Sequence, residues 1–92
     1  KEVPLNVPFL SIEENVIKLN VTIYPNPSKG IFRFKTEKNF DLSVTDLLGK
    51  EVFNSKNNPN ESDINLTQLV NGIYLTKIQN EDGISIQKIA IQ

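Results

Sequence analysis

From Ile17 the chain alternates. Ile17, Leu19, Val21 and Ile23 fall on one side of an extended backbone, and Lys18, Asn20, Thr22 and Tyr24 fall on the other. Period-two alternation over eight residues predicts a half-buried strand. Tyr24-Pro25-Asn26-Pro27-Ser28-Lys29-Gly30 then interrupts it. Two prolines fix φ and remove two backbone donors, so neither a helix nor a central strand runs through them. Gly30 permits a positive φ immediately before the next apolar run. Phe32 and Phe34 alternate with Arg33 and Lys35, predicting a second strand, and Phe40, Leu42 and Val44 alternate with Asp41, Ser43 and Thr45, predicting a third.

Asp46-Leu47-Leu48-Gly49 has the residue types of a hairpin turn, with Asp at its first position and Gly49 suited to a left-handed or bulge position. A fourth strand is expected over Lys50–Ser55, and Lys56–Glu61, with three asparagines and Pro59, reads as a loop. Asp63–Leu66 reads as a short fifth strand. Thr67–Val70 reads as a single helical turn that tucks Leu69 inward and ends at Asn71-Gly72. Ile73–Gln79 and Ile84–Ile91 form a last hairpin joined through Asn80–Gly83. About seven short strands separated by turn signals predict an all-β, antiparallel sandwich with no helix longer than one turn. Residues 1–15 carry Pro4, Pro8 and Glu13-Glu14 without sustained periodicity. They read as a lead-in to one domain spanning residues 16–92.

Composition narrows the chemistry. Ninety-two residues suffice for one small domain. The apolar runs are too short for a membrane span or a signal-peptide core. The chain starts at Lys1 and contains no methionine, so a piece of a longer protein is expected. A net charge of −1 offers no general grip on nucleic acid or anionic lipid. With no cysteine there is no disulfide, thiolate nucleophile or thiolate metal site, and with no histidine there is no triad of the usual kind.

The remaining candidates have simpler readings. Asp41, Asp46, Asp63, Glu81 and Asp82 lack the dense spacing of a calcium loop, and Asp46 and Asp82 suit turns whose amides they would bind. Ser28, Ser43 and Ser85 have no base to activate them, and a domain this small offers little room for a paired-carboxylate cleft. No cofactor and no enzymatic activity are expected. Lys29, Arg33, Lys35 and Lys38 form a local basic face that also fits the polar side of a half-exposed sheet. Phe32, Phe34 and Phe40 lie on apolar faces. Tyr24, Phe53 and Tyr74 are the aromatics open to either a core or a ligand-platform role. Asn20, Asn60 and Asn65 head glycosylation-type triplets, which carry meaning only in a eukaryotic secretory host.

The order of short motifs adds a family. Tyr24-Pro25-Asn26-Pro27 followed by Gly30 and a Phe-containing strand resembles the opening of type A C-terminal sorting domains of the type IX (Por) secretion system of Bacteroidetes-type bacteria. Val44-Thr45-Asp46 with Leu48-Gly49-Lys50 and Val52 resembles that family's hairpin. Ile64-Asn65-Leu66, Leu69 and Gly72-Ile73-Tyr74 resemble its central block, and Lys88-Ile89-Ala90-Ile91 its terminal block. Ser11–Asn15 is similar to the usual lead-in, so the resemblance covers about residues 11–92.

The resemblance implies a seven-stranded, immunoglobulin-like sandwich without catalysis, carried by a cargo domain upstream in the same chain. It passes through the periplasm, engages the outer-membrane translocon and is removed by a sortase-like peptidase, leaving the cargo at the cell surface or in the medium. Neither a nucleic-acid partner nor a membrane span is implied. The motif and recognition candidates it supplies are Tyr24, Pro25, Asn26, Pro27, Gly30, Asp46, Gly49, Lys50, Gly72, Tyr74, Lys88, Ile89 and Ile91. The last strand is expected on or near a sheet edge, where a partner strand could add. Ile89 and Ile91 fit either that recognition surface or the core. A carbohydrate-binding or adhesive β-sandwich module of a secreted protein is the alternative.

Overall fold

The alternating runs after Gly30 all form strands. The computed structural model describes residues 19–92, which form β1 (Thr22–Tyr24), β2 (Ile31–Lys35), β3 (Phe40–Thr45), β4 (Glu51–Asn58), β5 (Glu61–Asn65), β6 (Gly72–Asn80) and β7 (Gly83–Ile91). The lead-in and the expected start of the first strand, Ile17 and Lys18, lie outside these residues. Two antiparallel sheets form, one of order β1-β2-β5 and one of order β4-β3-β6-β7.

Their inward faces share one core. Phe32, Phe34 and Ile64 come from the three-stranded sheet, and Phe40, Leu42, Val44, Ile78, Ile89 and Ile91 from the four-stranded one. Phe34 and Phe40, one on each sheet, stack with ring centroids 5.9 Å apart. This is the predicted all-β sandwich, closed face to face by aromatic and β-branched side chains.

Four local expectations differ from the structure. The first strand is paired over three residues only, because its partner ends at Lys35, opposite Thr22, and Thr36 turns its N–H to the Asn60 carbonyl. Leu19, Val21 and Ile23 still pack against the core while Asn20, Thr22 and Tyr24 face outward. Alternation thus reports burial here beyond the hydrogen-bonded ladder.

The asparagine-rich stretch is strand up to Asn58 rather than a loop, and only Pro59 and Asn60 separate β4 from β5. Asn58 is buried and donates to the carbonyls of Phe40 and Ser55, while accepting from the Ser55 hydroxyl. Asn57 takes a φ of 54°, and its N–H is held by the Asp41 carboxylate. A bulge opposite the Phe40–Leu42 step absorbs one extra residue of β4. Asparagine is suited to both tasks, since its side chain replaces backbone partners and it tolerates the left-handed region.

Thr67–Val70 is a hydrogen-bonded turn, not a helical one. The Asn65 side chain accepts from the N–H and hydroxyl of Thr67, and the Leu69 N–H reaches the Leu66 carbonyl. Leu69 is half-buried against the core, as expected. In the last hairpin the turn amide of Asp82 is bound by Asn80, whereas Asp82 spends its own carboxylate on Lys38.

Candidate functional site

The four motif blocks lie far apart in sequence and meet at one end of the sandwich. β6 and β7 pair without a register shift, which sets Gly72 opposite Ile91 and Tyr74 opposite Ile89. Tyr74 is buried, and its hydroxyl donates to the Val70 carbonyl at 2.6 Å, pinning the turn that leads into β6. Asp46 and Gly49 form the turn after β3, as predicted. The Asp46 carboxylate accepts from the amides of Leu48 and Lys50, and the Gly49 N–H returns to the Asp46 carbonyl. Lys50 takes part through its backbone. Ile89 and Ile91 are core, and Lys88 between Gln87 and Ile89 points outward.

The proline-rich stretch closes this end. The Tyr24-Pro25 and Asn26-Pro27 bonds are both cis. After leaving β1 the chain crosses to the other sheet, and Ser28 forms a parallel bridge with Ile91. The Ser28 N–H donates to the Ala90 carbonyl at 3.0 Å, and the Gln92 N–H donates to the Ser28 carbonyl at 2.9 Å.

Asn26 continues that ladder with its side chain. Its Nδ2 donates to the Lys88 carbonyl at 2.9 Å, and its Oδ1 accepts the Ala90 N–H at 3.0 Å. One carboxamide thereby takes the place of a peptide unit on the edge of β7. Tyr24 and both prolines remain exposed. Asn26→Ala should cost about 1–3 kcal/mol, the worth of two hydrogen bonds. Faster deuterium exchange at the Ala90 amide, with the deeper Ile89 amide unchanged, is the expected companion result.

Gly30 anchors the other side of the stretch. Its carbonyl accepts the Leu66 N–H at 2.7 Å, and its own N–H donates to the Ser28 hydroxyl. The motif residues are therefore mutually dependent parts of one closure: Gly30 seats the β5–β6 turn, Tyr74 holds that turn, and Asn26 and Ser28 cover β7.

The polar candidates are largely neutralised. Arg33 bonds Asp63 at 2.9 Å and approaches Glu61 at 3.5 Å, Lys35 meets the same Glu61, and Lys38 meets Glu81 and Asp82. The Asp63 hydrogen bond raises the Arg33 pKa, and the Asp82 hydrogen bond raises that of Lys38. These exposed pairs explain the basic face as the polar side of a sheet. Hydrogen bonds from Ser43 and Asn54 lower the pKa of Glu51, a carboxylate on the β4 side of the outer face. No cluster of three or more acidic groups able to hold a metal occurs among the described residues. No helix among the described residues is long and apolar enough to cross a membrane. Phe32, Phe34, Phe40 and Tyr74 are buried, which leaves half-buried Phe53 and exposed Tyr24 as the aromatics nearest solvent among the described residues.

One surface was missed by motif reasoning. The outer face of the β6–β7 hairpin carries Ile73, Leu75, Ile84 and Ile86, and Ile86 is 65% exposed. The signal was a change of parity. In Ile84–Ile91 the isoleucines occupy positions 84 and 86, then 89 and 91. An unbroken strand cannot turn both pairs inward. The ladder shows no bulge in β7, so Ile89 and Ile91 take the core and Ile84 and Ile86 are left outside. Ile73 and Leu75 stand likewise on the outer parity of β6, opposite to buried Tyr74 and Ile78.

Comparison with curated proteins finds no match. The family described as "Secretion system C-terminal sorting domain" matches residues 22–92, from the first residue of β1 to the residue after β7. The chain belongs to this family of C-terminal sorting domains, the type IX secretion signals of proteins exported to the cell surface or the extracellular space.

Proposed function

We propose that residues 16–92 are the address, and that residues 1–15 connect them to an upstream cargo domain. The domain presents the outer face of its β6–β7 hairpin to the outer-membrane translocon of the type IX system. It is then removed by a sortase-like peptidase acting upstream of the sandwich, and it performs no catalysis itself. One observation carries the recognition surface: four large aliphatic side chains stand exposed on two adjacent strands of a domain that has already filled its core. Ile73 and Leu75 follow one another on the outer face of β6, and Ile84 and Ile86 on that of β7, with Lys77 and Lys88 beside them across the ladder. Apolar side chains rimmed by polar ones in this way mark an interaction site.

The motif residues support the reading in a different way. Tyr24–Gly30, Gly72–Tyr74 and Ile89–Ile91 hold the hairpin in place, and Asp46–Lys50 closes the neighbouring β3–β4 turn, so that unrelated cargoes carry the same surface. Ile84→Ser combined with Ile86→Ser should lower the urea midpoint only modestly, since Ile86 is largely exposed and Ile84 is outside the core cluster, and should reduce export of a fused reporter severalfold. Full export by the folded double variant would move recognition away from this face.

A further inference from the structure

The β7 edge is divided. Its outward-facing backbone groups belong to the even-numbered residues, as the bonds at Lys88, Ala90 and Gln92 establish. Because β7 pairs with β6 in one unbroken register, the N–H and C=O groups of Ile84 and Ile86 point the same way. Asn26 and Ser28 cover the edge from the Lys88 carbonyl onward. Among the described residues nothing bonds the backbone of Ile84 or Ile86 on that side. An uncovered strand edge is a template for another strand, and among the described residues this one is open over a defined length.

We propose that Ile84–Lys88 is a strand-acceptor site for an extended segment of a partner polypeptide, with Asn26 as the stop that fixes how far the added strand can run. The proposal rests on the reading of the last hairpin as the machinery-facing surface. The chemistry of the guest strand follows from its neighbours. On the outer face it meets Ile84 and Ile86, so its side chains there are aliphatic. Toward the interior it meets half-buried Ser85 and Gln87, the latter tied to the Val21 carbonyl, so its alternate side chains are small and polar. Lys77, opposite Ile86, and Lys88 have no carboxylate within ion-pair distance among the described residues, in contrast to Arg33, Lys35 and Lys38. A carboxylate at the end of the guest complements them. Two copies joined edge to edge would instead place both pairs of lysines on one face.

The test uses the whole chain, uniformly labelled with ¹⁵N, and the acetylated, amidated peptide Glu-Ser-Val-Ser-Val-Ser-Glu. Amide shifts should concentrate on Ile84–Lys88 and their β6 partners. Methylating both valine nitrogens should weaken binding about tenfold or more, the loss of two backbone hydrogen bonds. Ile86→Pro removes the edge-facing donor at a position where proline is tolerated, because that N–H takes no part in the β6 ladder. It should fold normally and lose the peptide.

Equal binding by the methylated peptide or by folded Ile86→Pro would overturn the proposal. So would shifts centred away from β7, or self-association of the chain through the same residues at the same concentration. Secretion separates the two readings. Peptide binding by the unsubstituted chain, lost in Ile86→Pro, together with normal export of an Ile86→Pro reporter fusion, keeps the acceptor site and removes its role in sorting. No peptide binding by the unsubstituted chain, together with loss of export by the Ile86→Pro fusion, keeps the hairpin surface and removes the acceptor.

Discussion

Phe34→Ala is expected to lower the free energy of unfolding by about 3–5 kcal/mol, enough to consume most of the stability of a domain this small. Phe34 is fully buried, and its ring stacks on Phe40 from the opposite sheet. Removing it deletes the transfer contribution of an aromatic side chain and also leaves a cavity between two sheets. Those sheets are held apart by Phe32, Leu42 and Ile78, and cannot simply collapse. Urea unfolding should show a midpoint shifted sharply downward with an unchanged slope. Export of a fused reporter should fall in proportion to the unfolded fraction. A shift under 1 kcal/mol would mean that the stack contributes little, and that the phenylalanines are not the centre of the core.

Gly30→Ala carries the second large effect. A Cβ at this position would lie 2.8 Å from Thr67 Cγ2 and 2.9 Å from Thr67 Cα, and the backbone φ is 129°. The second contact is with main chain, so rotating a side chain cannot relieve it. Opening the contact also pulls on the Leu66 N–H that bonds Gly30. Backbone strain of about 1–3 kcal/mol adds to a comparable overpacking cost, giving a loss of at least about 3 kcal/mol. Gly49→Ala is the control. Its φ is 91°, yet a Cβ there meets nothing within 4 Å, so the backbone contribution alone applies and about 1–2 kcal/mol is expected. If both variants lose the same amount, close packing against Thr67 is not what the family's glycine provides.

The fold was legible because its core is written in alternation. Phe32, Phe34, Phe40, Leu42 and Val44 stand at period two between turn residues, and each lies where that pattern puts it. What the pattern could not show were bonds made by side chains in place of backbone. Asn58 looks like loop composition and is strand, because its carboxamide satisfies two carbonyls inside a bulge. Asp82 looked like the cap of its own turn, a task that falls to Asn80.

The candidate site was legible only in part. Its motif blocks could be read in order along the chain, but their convergence depends on Asn26 and Ser28 reaching strand β7, more than sixty positions away in sequence. No local pattern encodes such a contact. The exposed hairpin face was encoded, in the parity change between Ile86 and Ile89. Only an unbroken register decides which pair faces out.

The stiff stretch from Tyr24 to Gly30 closes one end of the sandwich onto β7 through Asn26 and Ser28, while Tyr24, Pro25 and Pro27 stay exposed. The most direct measurement is the location of a fluorescent reporter in a host with a working type IX system, fused or not to residues 16–92. The sorting account predicts reporter outside the cell, or on its surface, only when the domain is attached. Retention of both proteins in the periplasm, with the attached domain folded, would contradict it.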